Sequence, residues 1–282
     1  MLDFIANPLG QILYFIYDTL AFKSYGIAII IFTIFVKVLL LPLMIKQYNN
    51  MAKMQELGPK LKEIQTKYKN DKEKLQQESL KLYQENNYNP MGGCLPLLIQ
   101  MPILLALWQV IQKPLRYMLG ISIGDIDKLA NALNLSNSNV YVQIEIIGKF
   151  FKGESSGVEN ILSGDMINTI TTLSSSFSNF LGFNLGSVPK DFSSNYLLLL
   201  IPFLAAGTTY ISSKLSMAYS TQTTENPMQN SMLFIGPLMT LFFSFSFPAG
   251  MGLYWIVGGI FQIFQQLFIN KLIAKKKEVQ NA

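Results

Sequence analysis

Residues 25–45 read YGIAIIIFTIFVKVLLLPLMI, and this stretch decides the class of protein. Twenty-one residues of α-helix rise about 31 Å, which is enough to cross the hydrocarbon core of a bilayer. One ionisable residue, Lys37, interrupts the stretch, and Pro42 lies near its far end. The stretch therefore predicts a transmembrane span.

Apolar residues dominate the rest of the chain as well. Of the 282 residues, 50% are hydrophobic and only 14% are charged, whereas soluble domains carry about 25% charged residues. This composition argues against a water-soluble enzyme. We predict an all-α polytopic membrane protein with five transmembrane helices, at 25–45, 90–112, 195–213, 229–247 and 250–270.

Two segments outside the spans have helical patterns. Residues 1–21 form a predicted amphipathic helix in the membrane surface, because their apolar residues recur at helical spacing: Leu2, Ile5, Leu9, Ile12, Leu13 and Ile16. Residues 46–88 are rich in Lys, Glu and Gln, and a break at Asn70 and Asp71 divides them. We predict that this segment is a charged helical hairpin.

The longest connection, 113–194, is rich in Ser, Asn and Gly and holds apolar islands. Within it, 140–147 alternates like a strand but also fits one face of a helix, so both structures stay open. We interpret 161–185 as a surface or re-entrant segment. The remaining connections are a loop at 214–228 and a basic tail at 271–282.

The distribution of charge predicts the orientation of the chain. The hairpin, the 214–228 loop and the tail together hold fourteen basic and eight acidic residues, whereas the opposite side holds seven and nine. Because positive residues favour the cytoplasmic side, we expect a multi-pass protein of the cell membrane. Its N-terminus is then outside, and its hairpin and C-terminal tail are in the cytosol.

Several kinds of chemistry are excluded by the residues that the chain lacks. It contains no histidine and one cysteine, Cys94, and its predicted spans contain no Asp or Glu. Histidine-dependent nucleophiles, zinc clusters and intramembrane proton relays are therefore not expected. No phosphate-binding loop is present either. We predict a protein that is not an enzyme and that has no cofactor or metal.

Lys37 is the ionisable residue that lies inside a predicted span. A cation at mid-membrane costs roughly 2.5–3.5 kcal/mol, and Lys37 precedes Lys46 by nine residues, about 13 Å along a helix. Either a hydrated cavity reaches Lys37 or its side chain snorkels to the interface. Polar or amphipathic residues inside the predicted spans could line such a cavity: Thr33, Gln100, Thr208, Thr209, Ser212, Ser213, Trp255 and Gln262.

The hairpin and the tail also have two interpretations. They are either solvated charged segments near anionic lipid headgroups or docking surfaces for ribosomal RNA or an emerging apolar peptide. The residues that would make these contacts are apolar in one part of the hairpin and basic elsewhere: Met51, Met54, Lys60, Lys62, Lys67, Lys275, Lys276 and Lys277.

Five motifs occur in an order that resembles the YidC/Oxa1/Alb3 family of membrane protein insertases, in its five-span bacterial form. They are YGIAIIIFTIFVKVLLLPL, KMQELGPKLKEIQTKYKND, GGCLPLLIQMPILLALW, NPMQ and FPAGMGLYWIVGGIFQIFQQ. The resemblance implies a hydrophilic groove, open to the cytosol and to lipid, in which Lys37 attracts acidic residues of a substrate. Lys37 lies where the family usually has arginine, and Trp255 matches an aromatic position of the groove.

The resemblance also implies partners and a mechanism without covalent chemistry. The hairpin receives nascent membrane proteins, the tail helps to bind the ribosome, and the chain acts alone or with the Sec translocon in the lipid bilayer. Two other functions are weighed against this one. A small-solute transporter or channel predicts repeated spans, and a lipid-modifying enzyme predicts an intramembrane acid, histidine or metal cluster; the sequence has neither feature.

Overall fold

The structure is a computed structural model that describes residues 2–88, 95–190, 195–218 and 227–281. Within these ranges it describes all side chains except those at 51, 52, 55, 95–99, 217, 218, 227–232, 270 and 272–281. Parts of the predicted span 90–112 and of the two predicted loops thus lie outside the described residues. The described residues form helices and no strand, which confirms the all-α class.

The described residues form a succession of α-helices. In chain order they are α1 (Asp3–Thr19), α2 (Tyr25–Leu39), α3 (Leu41–Lys67), α4 (Lys72–Glu85), α5 (Leu95–Gln112), α6 (Pro114–Tyr117), α7 (Ile123–Ala132), α8 (Val142–Phe151), α9 (Gly164–Ser178), α10 (Leu200–Ala218), α11 (Pro227–Ser246) and α12 (Ala249–Asn281). A short 3-10 helix, Tyr196–Leu199, leads directly into α10.

The predicted span at 25–45 is built from two helices rather than one. Helix α2 ends at Leu39, α3 begins at Leu41, and the two axes differ by 52°. Pro42 lies in the first turn of α3, where its missing N–H is tolerated. The same ring would clash with a carbonyl of the preceding turn in a continuous helix. Pro42 therefore accounts for the bend.

Within the described residues, two helical segments are long and apolar enough to cross a membrane, Tyr196–Ser216 and Ala249–Ile269. The bent pair Tyr25–Leu39 and Leu41–Asn50 makes a third if it counts as one span. The chain is thus a helical protein with two or three candidate spans, and the count of five stays a prediction. Helix α12 has 33 residues, or about 50 Å at 1.5 Å per residue, so it extends well beyond a hydrocarbon core of about 30 Å.

Helices α3 and α4 pack against each other within the predicted hairpin region. The side chain of Asp71 caps α4 by accepting a hydrogen bond of 3.0 Å from the backbone N–H of Lys74. Leu57 and Leu82 are buried. An N-cap residue between two helix-forming segments explains the position of the turn.

Helices α1 and α6–α9 form a layer over one end of the spans, called here the capping layer. Its core is continuous with that of α2 and α5. The predicted apolar face of α1 contributes buried Leu13 and Ile16, while the location of α1 in a membrane surface stays a prediction. The ambiguous stretch 140–147 begins a helix, α8, and most of 161–185 belongs to α9.

The position of the functional site follows from the way the apolar helices pack. Helix α10 packs against both α11 and α12, and α12 also packs against α2. The Tyr48 hydroxyl of α3 donates a hydrogen bond of 2.6 Å to Gln266 Oε1 of α12. This bond holds the chain beyond the bend against the far part of α12. On α2, Lys37 faces the space between α10 and α12.

Candidate functional site

A polar cavity of about 200 Å³ lies between α2, α10, α11 and α12. Ten of the described residues line it: Lys37, Thr209, Ser212, Ser213, Thr240, Tyr254, Trp255, Gly258, Gly259 and Gln262. The lining thus combines hydroxyl groups, one amide and one ammonium group. Six of these residues are half-buried, so the cavity is open to the surface of the protein: Lys37, Thr209, Ser213, Thr240, Trp255 and Gln262.

Lys37 contributes the one charge among the described lining residues, and its side chain lies against the backbone of α12. A Cβ atom placed on Gly258 would be 3.3 Å from Lys37 Cε and 3.8 Å from Lys37 Nζ. The ion pairs of the described residues join other side chains, so Lys37 has no carboxylate partner among them. A cation in such a cavity, which has a polar lining and is surrounded by apolar helices, favours the binding of an anionic ligand.

The hydroxyl groups of two lining threonines already donate within their own helices. Thr209 donates to the carbonyl of Ala205 at 2.8 Å, and Thr240 donates to the carbonyl of Gly236 at 3.0 Å. These bonds leave the oxygen lone pairs free to accept hydrogen bonds from a ligand or from water. The cavity consequently offers acceptors for a polar backbone as well as one positive charge.

Gln100 acts on the cavity through a neighbouring residue. Its Nε2 atom donates a hydrogen bond of 2.9 Å to the hydroxyl oxygen of Tyr254. Tyr254 lines the cavity and is otherwise buried in the core around α5 and α12. Gln100 therefore positions a lining residue and joins α5 to α12, whereas the sequence predicted it as a lining residue itself.

Trp255 forms one wall of the cavity through a stack of aromatic rings. Its ring lies 6.0 Å from that of Phe247 with an angle of 21° between the planes. Phe247 in turn contacts the rings of Trp108 at 5.5 Å and Phe243 at 5.6 Å. The stack joins α5, α11 and α12 and gives the polar cavity a rigid apolar boundary.

Thr33 and Thr208 lie beside the cavity at two close helix contacts. Thr33 is fully buried, and its hydroxyl donates to the carbonyl of Ile29 at 2.6 Å. A Cβ atom on Gly259 would be 2.6 Å from Thr208 Oγ1, so only glycine permits this approach of α10 and α12. The structure thus places Thr33 and Thr208 outside the described lining of the cavity. It brings together six of the predicted groove residues: Lys37, Thr209, Ser212, Ser213, Trp255 and Gln262.

Four of the described lining residues were not predicted from the sequence: Thr240, Tyr254, Gly258 and Gly259. Tyr254 and Gly258 lie on the same face of α12 as Trp255 and Gln262, at intervals of three or four residues. That periodicity could have identified both of them. Thr240 is a single hydroxyl in an apolar helix, and no pattern around it indicates its orientation.

Comparison with known proteins assigns the chain to a family. The model of the 60Kd inner membrane protein family matches residues 15–277. The chain belongs to this family. It is 34% identical over 263 residues to membrane protein insertase YidC of Oceanobacillus iheyensis, a match that covers 90% of this chain and 78% of that protein.

Two further relatives have similar names. Membrane protein insertase YidC 1 of Listeria monocytogenes is 33% identical over 259 residues, which cover 90% of this chain and 67% of the relative. Membrane protein insertase MisCA of Bacillus subtilis is 29% identical over 284 residues, which cover 99% and 83%. The predicted family is therefore confirmed, and the 60Kd inner membrane protein match includes every residue of the polar cavity.

Helices α3 and α4 present a basic surface. Both helices lie within the residues that match the 60Kd inner membrane protein family. Met54 is half-buried, whereas Lys60, Lys62 and Lys67 are exposed. Lys67 Nζ lies 5.3 Å from the centre of the Tyr68 ring, a cation–π contact at the turn of the hairpin. The side chains of the other predicted contact residues lie outside the described residues: Met51, Lys275, Lys276 and Lys277.

Proposed function

We propose that this chain is a membrane protein insertase of the cell membrane that lowers the barrier for moving a polar tail of a nascent membrane protein across the bilayer. One observation carries the proposal: Lys37 lies in a polar cavity bounded by apolar helices and has no carboxylate partner among the residues that the structure describes. The names of the relatives support it.

A polar tail loses its hydrogen bonds to water when it enters the bilayer, and the cavity supplies groups that replace them. Hydroxyl oxygens of α10 and α11 accept hydrogen bonds from backbone N–H groups, and the Lys37 ammonium attracts a carboxylate. A volume of about 200 Å³ also has room for several waters at about 30 Å³ each. Each unsatisfied polar group in hydrocarbon costs several kcal/mol, so even a short hydrated path lowers the barrier.

The apolar part of the substrate follows a different surface. Helices α10 and α12 expose large apolar side chains along the same stretch that borders the cavity: Phe203, Leu204, Ile211, Ile260, Phe264 and Phe268. A nascent span can lie against them in lipid while its polar tail occupies the cavity. Transfer of that span from water into lipid provides the driving force, at about 25 cal/mol per Å² of apolar surface.

The charged segments have complementary roles in this proposal. The basic surface of α3 and α4 receives the nascent chain on the cytosolic side, and the C-terminal part of α12 contacts the ribosome. The Sec translocon is a further partner for larger substrates. The positive charge of these segments supports an orientation with the N-terminus outside and the C-terminus in the cytosol.

Reconstitution tests the proposed function. A short single-span protein with an acidic N-terminal tail is translated beside liposomes that contain the purified chain, and protease protection of the tail is scored against protein-free liposomes. Protection that requires the chain supports the insertase. If protection does not exceed that of empty liposomes, for a substrate that inserts into native membranes, the proposal is wrong and solute transport becomes the function to test.

A further inference from the structure

A tight turn at 180–183 presents a leucine side chain at its tip. Phe180 and Phe183 exchange two backbone hydrogen bonds of 2.9 Å across the turn. Leu181 and Gly182 both adopt positive φ, 53° and 81°, as the central residues of a two-residue hairpin turn do. Glycine accepts this conformation freely but leucine does not. Leu181 is nevertheless 79% exposed, so packing within the protein does not explain it.

The turn touches the beginning of two apolar helices. The Phe180 ring packs on Gly26, in the first turn of α2, where a Cβ atom would clash with the ring. Asn195 Nδ2 donates a hydrogen bond of 3.0 Å to the carbonyl of Gly182, and Asn195 Oδ1 accepts one from the N–H of Leu197. Helix α2 and the helix that starts at Tyr196 therefore begin at the same level, and the turn marks that level.

Exposed apolar side chains lie next to the turn in sequence. Tyr196 and Leu197 are 72% and 52% exposed, and Leu200 continues this exposed surface into α10. The chain carries no charged residue between Asp165 and Lys190. Exposed apolar side chains with a tyrosine at the ends of spanning helices are typical of the membrane interface, where aromatic residues are enriched.

We propose that the 180–183 turn is a membrane anchor and that Leu181 inserts into the lipid at the face where α2 and α10 enter the bilayer. The lipid interface is the partner, because the apolar tip is continuous with the surface of a helix that meets lipid. The turn thus fastens α9 and the rest of the capping layer to the membrane. The proposal rests on α2 and α10 crossing the bilayer and not on insertase activity.

Site-directed fluorescence in lipid nanodiscs tests the depth of Leu181, since both faces of a nanodisc are open to aqueous quencher. The single native thiol is removed by Cys94→Ser, and Leu181→Cys is labelled with an environment-sensitive dye. Ile123→Cys is the matched control, because Ile123 is also exposed and apolar but lies on α7, which packs mainly against α6 and α8. Tyr196→Cys provides a second interfacial position should Leu181→Cys fail to fold.

We expect blue-shifted emission at 181, strong quenching by a nitroxide on the lipid chain and weak quenching by iodide. At 123 iodide should quench more strongly than the lipid nitroxide. Equal quenching patterns at 123 and 181, or iodide quenching at 181 as strong as that of free dye, would overturn the anchor. The measurement uses no substrate, so a failure of the insertase proposal leaves its result interpretable.

Discussion

Replacing Lys37 with methionine should slow the insertion of a substrate that has an acidic tail. Methionine has nearly the length of the lysine stem, so it keeps the contact between the side chain and Gly258 (Cε 3.3 Å from the position of a Cβ there). The substitution therefore removes the charge without opening a cavity. Lys37→Arg keeps the charge and should retain most of the rate.

The expected magnitude follows from the environment of the ammonium. Two unit charges 4 Å apart attract by about 4 kcal/mol at an effective dielectric constant of 20. Partial desolvation of both groups offsets part of this energy, and a hydrogen bond to a charged group contributes a net 1.5–3 kcal/mol, roughly. If the contact forms only in the rate-limiting state, Lys37→Met should reduce the rate by about tenfold to a hundredfold.

The assay is a time course of protease protection in liposomes, with a substrate tail that carries one aspartate and a matched tail that carries asparagine. Lys37→Met should slow the aspartate tail strongly and the asparagine tail little. Lys152→Ala controls for the loss of any one positive charge, because Lys152 is exposed on the capping layer. An equal effect of Lys37→Met on both tails would refute the electrostatic role, even if the chain inserts proteins.

Three further predictions concern stability and pH. Gly259→Ala should lower the free energy of unfolding by about 1–3 kcal/mol through overpacking. Gly207→Ala should leave it equal or higher, because a Cβ atom there meets no atom of the described residues within 4 Å. Thermal unfolding in detergent compares the two variants. Tyr48→Phe should cost about 1–3 kcal/mol in the same assay, because the buried Gln266 oxygen loses its donor at 2.6 Å. Tyr117 donates a hydrogen bond of 2.6 Å to Asp3, and this bond and the charge of Arg116 lower the pKa of the Asp3 carboxyl. Hydrogen exchange should therefore show α1 loosening as pH falls through that lowered pKa.

Each of these predictions has an outcome that contradicts it. Equal melting temperatures for the two glycine variants would show that α10 and α12 can separate at no cost. An unchanged melting temperature in Tyr48→Phe would show that water replaces the lost donor. For Asp3, stabilisation is present above the pKa of the unfolded chain and declines towards lower pH; Asp3→Asn should abolish this dependence, and its persistence would assign the loosening to other groups.

The apolar spans and the turn of the hairpin could be predicted, because each of them depends on residues that are close together in the sequence. The apolar stretches at 25–45, 195–213 and 250–270 contain helices of the predicted type. The turn between α3 and α4 lies where Asp71 can cap the following helix. By contrast, the structure of 140–147 stayed open, because Val142–Phe151 buries one face against a partner helix that the sequence does not identify.

The candidate site was predicted in part. Lys37 was recognised because a charge in an apolar span is unusual, and Trp255 and Gln262 because they are polar or amphipathic in the same context. The roles of Gln100 and Thr33 could not be predicted from composition. One donates to Tyr254 on another helix, and the other donates to its own backbone; both choices depend on which groups lie within about 3 Å in the folded chain.

The sequence by itself determined that this protein belongs in a membrane and that a single cation lies within its predicted spans. Hydropathy and charge decide these properties because the free energy of transfer into lipid depends on residue type. The tertiary structure alone decided that the cation faces a cavity. Gly258 and Gly259 let α12 approach Lys37 and Thr208, and such contacts arise from the packing of helices distant in sequence, which no spacing along the chain specifies.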